Sequence, residues 1–215
     1  MFKQICVVLT DFVLVTCLAL FYLSHQTYAH QTLADYLGNR CPPNVSTKEL
    51  EAKAMQMYSC AMTLKNIKNP TEYYTFYCEN DFIDQCTNII VSMFIYCYYP
   101  EEQYLSELIL HTYKATKAQA CQKTKEEFLE LYQDLKNLEC VQNDNVTHIT
   151  MKCINSLSEN DDFSNLILTK SLVCRKFPEL QDCIEEDFAL NCESSLLMDI
   201  VKHTFSSILD WCALN

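Results

Sequence analysis

Between residues 48 and 65 the apolar side chains Leu50, Ala54, Met57, Ala61 and Leu64 recur at steps of four, three, four and three. That spacing places them on one face of a helix. Ser46 with Glu49 has the form of a capping box at its start. A second stripe, Phe128, Leu131, Tyr132, Leu135 and Leu138, predicts a helix over 124–139, with Thr124 and Glu127 as its capping pair. Pro100 and Pro178 each stand where a first helical turn would begin, and acidic residues follow both. No segment alternates apolar and polar residues between turn signals as a strand does, and one glycine, Gly38, leaves little material for tight hairpins. The fold expected is all-α.

The N-terminus departs from this amphipathic pattern. Lys3 precedes Phe12–Leu23, twelve residues without a charge, and Thr27-Tyr28-Ala29 offers small residues at the −3 and −1 positions. Residues 1–29 therefore read as a cleaved signal peptide. Asp11 and the shortness of the run weigh against an uncleaved anchor. Two acceptor sequons, at Asn44 and Asn145, fit export with glycosylation, whereas Pro70 rules out a third at Asn69.

Cleavage would remove Cys6 and Cys17 and leave twelve cysteines, an even number with no CxxC spacing. This argues against zinc knuckles and redox motifs and for six disulfides in an oxidising compartment. The twelve fall into two sets: Cys41, Cys60, Cys78, Cys86, Cys97 and Cys121, then Cys140, Cys153, Cys174, Cys183, Cys192 and Cys212. The intervening gaps are 18, 17, 7, 10 and 23 residues, then 12, 20, 8, 8 and 19. Side chains between the cysteines agree with that order. Leu105, Glu107, Leu108, Ile109, His111, Thr112 and Tyr113 align with Leu197, Asp199, Ile200, Val201, His203, Thr204 and Phe205.

We therefore expect two tandem six-cysteine helical repeats, 30–121 and 140–215, each of four to five short helices, joined by a linking helix over 122–139. Units of this size have small cores that cross-links would reinforce. The nine-residue step from Cys183 to Cys192 predicts either a helix break between them or unlike pairing in the two units. Six cysteines allow many connectivities, and spacing does not select one.

The spacing Cys174–Cys183–Cys192–Cys212, with Phe177-Pro178-Glu179-Leu180-Gln181-Asp182 before Cys183, and again Cys78–Cys86–Cys97–Cys121, resembles cysteine-rich, all-helical secreted families of poorly known function from nematodes and arthropods. Insect haemolymph glycoproteins are a looser likeness. The resemblance implies secretion and an all-helical fold and brings no catalytic residues. The glycine that many members carry after the third cysteine of the motif is absent here.

Charge and chemistry narrow the function classes. A net charge of −12 disfavours nucleic acid as a partner. The lack of glycine excludes phosphate-binding loops and nucleophile elbows. His30, His111, His148 and His203 form no metal or phospholipase motif, and His111 and His203 read as duplicated residues beside an apolar stripe. The acidic runs around Asn143–Thr147 and Glu159–Asp162 lack the glycine of a calcium loop, and Glu185-Glu186-Asp187 reads as a solvated face.

Tyrosines and phenylalanines gather between Tyr73 and Tyr104, and Ile89–Tyr96 is apolar nearly all round a helix. Ile89, Ile90, Met93, Phe94 and Tyr96 are the candidate lining of an apolar ligand pocket, with core packing as the plainer reading. The expected function is a secreted, glycosylated, non-catalytic binding protein of extracellular fluid, without cofactor or metal and without stable membrane association. Its partner would be an extracellular protein or a small apolar ligand. A carrier of such a ligand is the alternative, and a secreted hydrolase without a recognisable motif is the alternative of a different class.

Overall fold

The computed structural model describes residues 69–95, 99–142, 167–192 and 194–214, together with 48–49, 52–53, 55–56, 59–60, 63, 148–150, 152–153 and 156. The signal-peptide reading, both sequons, Cys41, Cys97 and the stripe from Leu50 to Leu64 lie outside these residues.

Among the described residues the fold is all-helical, without a strand. Every described position between 48 and 63 is helical. Helix α1 (Pro70–Tyr74) is capped by the Asn69 side chain, which accepts from the Glu72 N–H, and it continues directly into a π-helical turn, Thr75–Glu79. Helix α2 spans Phe82–Ile95, followed by a 3-10 turn at Pro100–Glu102 and helix α3, Tyr104–Cys121. Helix α4 (Lys125–Asn137) begins with the expected capping box. Thr124 Oγ1 accepts from the Glu127 N–H, and Glu127 accepts in return from the Thr124 N–H. A short α5 (Glu139–Gln142) precedes the two longest elements, α6 (Lys170–Asn191) and α7 (Ser195–Leu214).

Two features of the last pair correct the expectation of short helices. Helix α6 runs 22 residues without a break and carries Pro178 in its interior. Proline removes one backbone donor and crowds the carbonyl four residues earlier, here that of Cys174. Burial of Val173, Phe177, Leu180, Ile184 and Phe188 along one face holds the helix together despite this cost. The helix runs unbroken from Cys183 to Asn191 and Cys192 is its C-cap, so the break expected between the two cysteines is not found, and the two sets pair alike.

Helix α7 packs between α6 and α3. The principal core gathers Val91, Leu105, Leu108, Ile109 and Leu135 with Leu168, Phe177, Leu180, Leu197, Val201, Phe205, Ile208 and Trp211. It therefore draws on both halves of the chain. A satellite core of Tyr73, Tyr77, Ile83, Tyr113, Phe128 and Tyr132 sits under α1 and α4. The linking helix divides its stripe, giving Phe128 and Tyr132 to the satellite and Leu135 to the principal core.

Among the described residues four disulfides staple this framework: Cys60–Cys86, Cys78–Cys121, Cys153–Cys183 and Cys174–Cys212. In each set of six cysteines the second bonds the fourth and the third bonds the sixth, and no described bridge crosses between the sets. The expected bridge engagement of Cys140 and Cys192 is not met. Both are free cysteines, Cys140 buried and Cys192 half-buried.

Candidate functional site

Among the described residues, Tyr73, Tyr74 and Tyr77 of the aromatic concentration pack against α4. Tyr73 stacks on Tyr77 at 6.0 Å and on Phe128 at 6.3 Å, and lies 5.5 Å from Tyr132, while Tyr74 meets Phe128 edge-on at 5.2 Å. These separations are those of offset and T-shaped pairs. The tyrosines from α1 and its π-turn thus meet α4, whose face supplies Phe128 and Tyr132. Of the candidate pocket residues, Ile89 is half-buried on α2; the side chains of Ile90, Met93 and Phe94, and Tyr96 as a whole, lie outside the described residues. Val91 on the same helix is buried in the principal core. A described depression of about 380 Å³ lies elsewhere, on the outer face of α4 against Leu129, Glu130, Gln133 and Asp134. It is open and half charged, a poor match for an apolar ligand.

Three polar constellations tie the helices together. In the first, Tyr113 on α3 donates its hydroxyl to Asp84 Oδ1 of α2 at 3.0 Å, and Lys117 pairs with the other carboxylate oxygen. Burial, then the hydrogen bond and charge of Asp84, raise the Tyr113 phenol well above the ordinary tyrosine range. Burial raises Tyr77 in the same direction.

The second constellation joins the halves. Glu102 is completely buried. Its Oε1 accepts the backbone N–H of Leu168 at 2.9 Å, and its Oε2 accepts that of Tyr99 at 3.2 Å. Tyr104 donates its hydroxyl to the Leu168 carbonyl at 2.8 Å, so both backbone polar groups of Leu168 are held by side chains more than sixty positions away in the chain. The Tyr104 ring stacks on Trp211 at 5.8 Å, and Lys170 Nζ lies 4.6 Å from the centre of the indole. Burial and the Glu102 charge raise the Tyr104 phenol, keeping it a donor.

The third corrects a sequence reading. Asp187 is not part of a solvated face; it is buried on α6 and bonded by Lys152 Nζ at 2.7 and 3.0 Å. Glu186 is exposed, and Glu185 accepts from Gln181 Nε2 at 2.6 Å. Cys153, Cys183 and Asp187 lie close enough together to suggest a metal site. The two sulfurs are bonded to each other and the carboxylate to Lys152, so none of the three is free to ligate.

The residues aligned between the halves have matching environments. Leu105 and Leu197, Ile109 and Val201, Thr112 and Thr204, and Tyr113 and Phe205 are all buried. His111 and His203 are both half-buried, and Glu107 and Asp199 are both exposed. Leu108 and Ile200 differ, the first buried and the second half-buried. His203 Nε2 is buried without a hydrogen-bond partner among the described residues. No described helix is long and apolar enough to cross a membrane. No family model matches the chain, and neither a curated protein nor a solved structure is similar to it.

Proposed function

We propose that this chain is a secreted, glycosylated and non-catalytic extracellular binding protein, built from two tandem six-cysteine helical units. The single observation that carries the reading is the bridge pattern. Second-to-fourth and third-to-sixth pairing recurs in both sets, in the four bridges among the described residues of a helical frame. Repetition of a pairing, together with the matched burial of the segments before Cys121 and Cys212, supports duplication of one unit. Disulfides on this scale belong to oxidising compartments, which supports export.

The buried and half-buried acids serve as structural ties. Asp84 holds Lys117 and Tyr113, Asp187 holds Lys152, and Glu102 holds two backbone amides. A framework that commits its carboxylates in this way favours recognition over acid–base chemistry.

Expression of the full chain in a secreting eukaryotic cell tests the proposal. The protein is expected in the medium, lacking residues 1–29 and losing mass on removal of N-glycans at Asn44 and Asn145. Native mass spectrometry of that material separates the partner classes: a co-purified protein supports the leading reading, and a retained apolar molecule supports the carrier. Retention inside the cell with the leader uncleaved would overturn the proposal, as would turnover of a panel of ester and peptide substrates.

A further inference from the structure

Helices α4 and α5 are parted by a single residue. Leu138 has φ −65° and ψ 126°, while Asn137 before it and Glu139 after it are helical. The local sequence gives no reason to stop there. Residues 125–142 contain neither glycine nor proline, and leucine and glutamate are good helix formers. Tertiary packing imposes the turn. On a straight helix Leu135 and Cys140, five positions apart, would point about 140° away from each other. Both are nonetheless buried in the principal core, and Leu138 packs against it. A break of this kind forgoes backbone bonds that a straight helix would complete.

The chain is stapled separately on either side of Leu138. Before it, Cys60–Cys86 and Cys78–Cys121 act with the Asp84 contacts to Tyr113 and Lys117. After it, Cys153–Cys183 and Cys174–Cys212 act with Lys152 on Asp187. Among the described residues the two sides meet without a covalent bond. Helix α3 packs on α7, Glu102 and Tyr104 hold the backbone of Leu168, and Tyr104 stacks on Trp211. We propose that two copies of the chain exchange their halves: Leu138 turns helical, α4 and α5 fuse into one helix over 125–142, and α6 and α7 of each copy pack on α3 of the other.

A second copy fits because it offers the same surfaces. Leu168 of one copy meets Glu102 and Tyr104 of the other, and α7 meets α3, so the contacts between halves are remade and only the hinge changes. In the straight helix Leu135 and Cys140 face away from each other, each toward a different composite core, as exchanged halves require. The single copy keeps Leu138 against the core and prevails in dilute solution. Exchange needs the Glu102 clasp to open, so a dimer once formed persists on dilution. None of this requires the chain to be a binding protein or its halves to have arisen by duplication.

The test mixes ordinary and heavy-isotope full chain in equal amounts, unfolds them in urea with the disulfides intact, refolds at high protein concentration and separates by size. A dimer is expected that survives dilution. An amine cross-linker should then join the exposed Lys114 of α3 to the exposed Lys202 of α7. In the dimer about half of those links should pair a light with a heavy peptide, whereas links from Lys176 of α6 to Lys202 should stay within one isotope. Glu139→Pro suits the bent form, since Leu138 already has the extended angles a following proline demands and residue 139 opens α5. It obstructs the straight helix and should lower the dimer fraction at least about tenfold. Asn137→Ala should raise that fraction about threefold. Monomer alone at every concentration would overturn the proposal. So would a dimer whose Lys114–Lys202 links keep to one isotope, or an undiminished dimer of Glu139→Pro. The isotope pattern of the wild-type chain decides even where a variant misfolds.

Discussion

Replacing Glu102 by alanine would unfasten the two halves of the chain at one buried point. The carboxylate accepts two backbone amides, one of them the buried N–H of Leu168. Hydrogen bonds to a charged group contribute about 1.5–3 kcal/mol each, and an amide left buried without a partner adds about 1–3 kcal/mol. Allowing for partial relaxation and for water reaching Tyr99, whose ring is exposed, Glu102→Ala is expected to cost about 3–5 kcal/mol. Glu102→Gln keeps the shape but offers one acceptor where two are used, and it should cost about 2–3 kcal/mol. Tyr104→Phe removes the bond to the Leu168 carbonyl and should cost about 1–1.5 kcal/mol.

Because Glu102 and Tyr104 hold the same residue, the double variant should depart from additivity by more than about 0.5 kcal/mol. Urea unfolding followed by far-ultraviolet circular dichroism, with disulfides intact, gives the free energies. Amide exchange at Leu168 gives the local effect, and its protection should fall in Glu102→Ala by as much as the free-energy loss. A Glu102→Ala protein within about 1 kcal/mol of wild type, with Leu168 still protected, would refute the reasoning.

Tyr77, Tyr104 and Tyr113 should ionise late in an alkaline absorbance titration. Their phenols are raised in the folded state, so the unfolded chain binds fewer protons above its tyrosine pKa of about 10, and stability should be complete below that pH and fall as pH rises beyond it. Phe128→Ala, at the centre of the satellite core, should cost about 3–5 kcal/mol in thermal or urea unfolding. Pro178→Ala should restore a donor to α6 and raise stability by about 1 kcal/mol or more; a loss would mean that the proline fits a bend the helix needs. Peptide mapping of exported protein should find Cys41 and Cys97, the two of the first set that Cys60–Cys86 and Cys78–Cys121 leave over, bonded to each other if they bond at all, and any linkage between the two sets of six would count against duplication.

What the chain's local pattern revealed were features decided within a few residues. The Thr124–Glu127 cap and the stripe from Phe128 to Leu138 depend on neighbours three and four positions away, and both are present. Features decided by distant partners were hidden. Glu102 follows a proline like any acid in a first helical turn, and only the arrival of Leu168 makes it a buried clamp. Asp187 sits in an acidic triplet, and Lys152 selects it from the three. Pro178 looked like a helix start because proline suits that place; burial of Phe177 and Leu180 on either side carries the helix through it. The aromatic cluster was visible as a composition, but whether rings enclose a cavity or fill one another's space depends on how α1 meets α4, which no single window contains.

The shared principal core has a consequence for biosynthesis. Leu105, Leu108 and Ile109 emerge from the ribosome roughly a hundred residues before Ile208 and Trp211, against which they are buried. A nascent chain that has completed its first set of cysteines must wait with that apolar face uncovered, so chaperones and oxidoreductases meet it half-built. Bonds made during the wait, before the final helix arrives, must already respect a geometry that only the finished protein enforces.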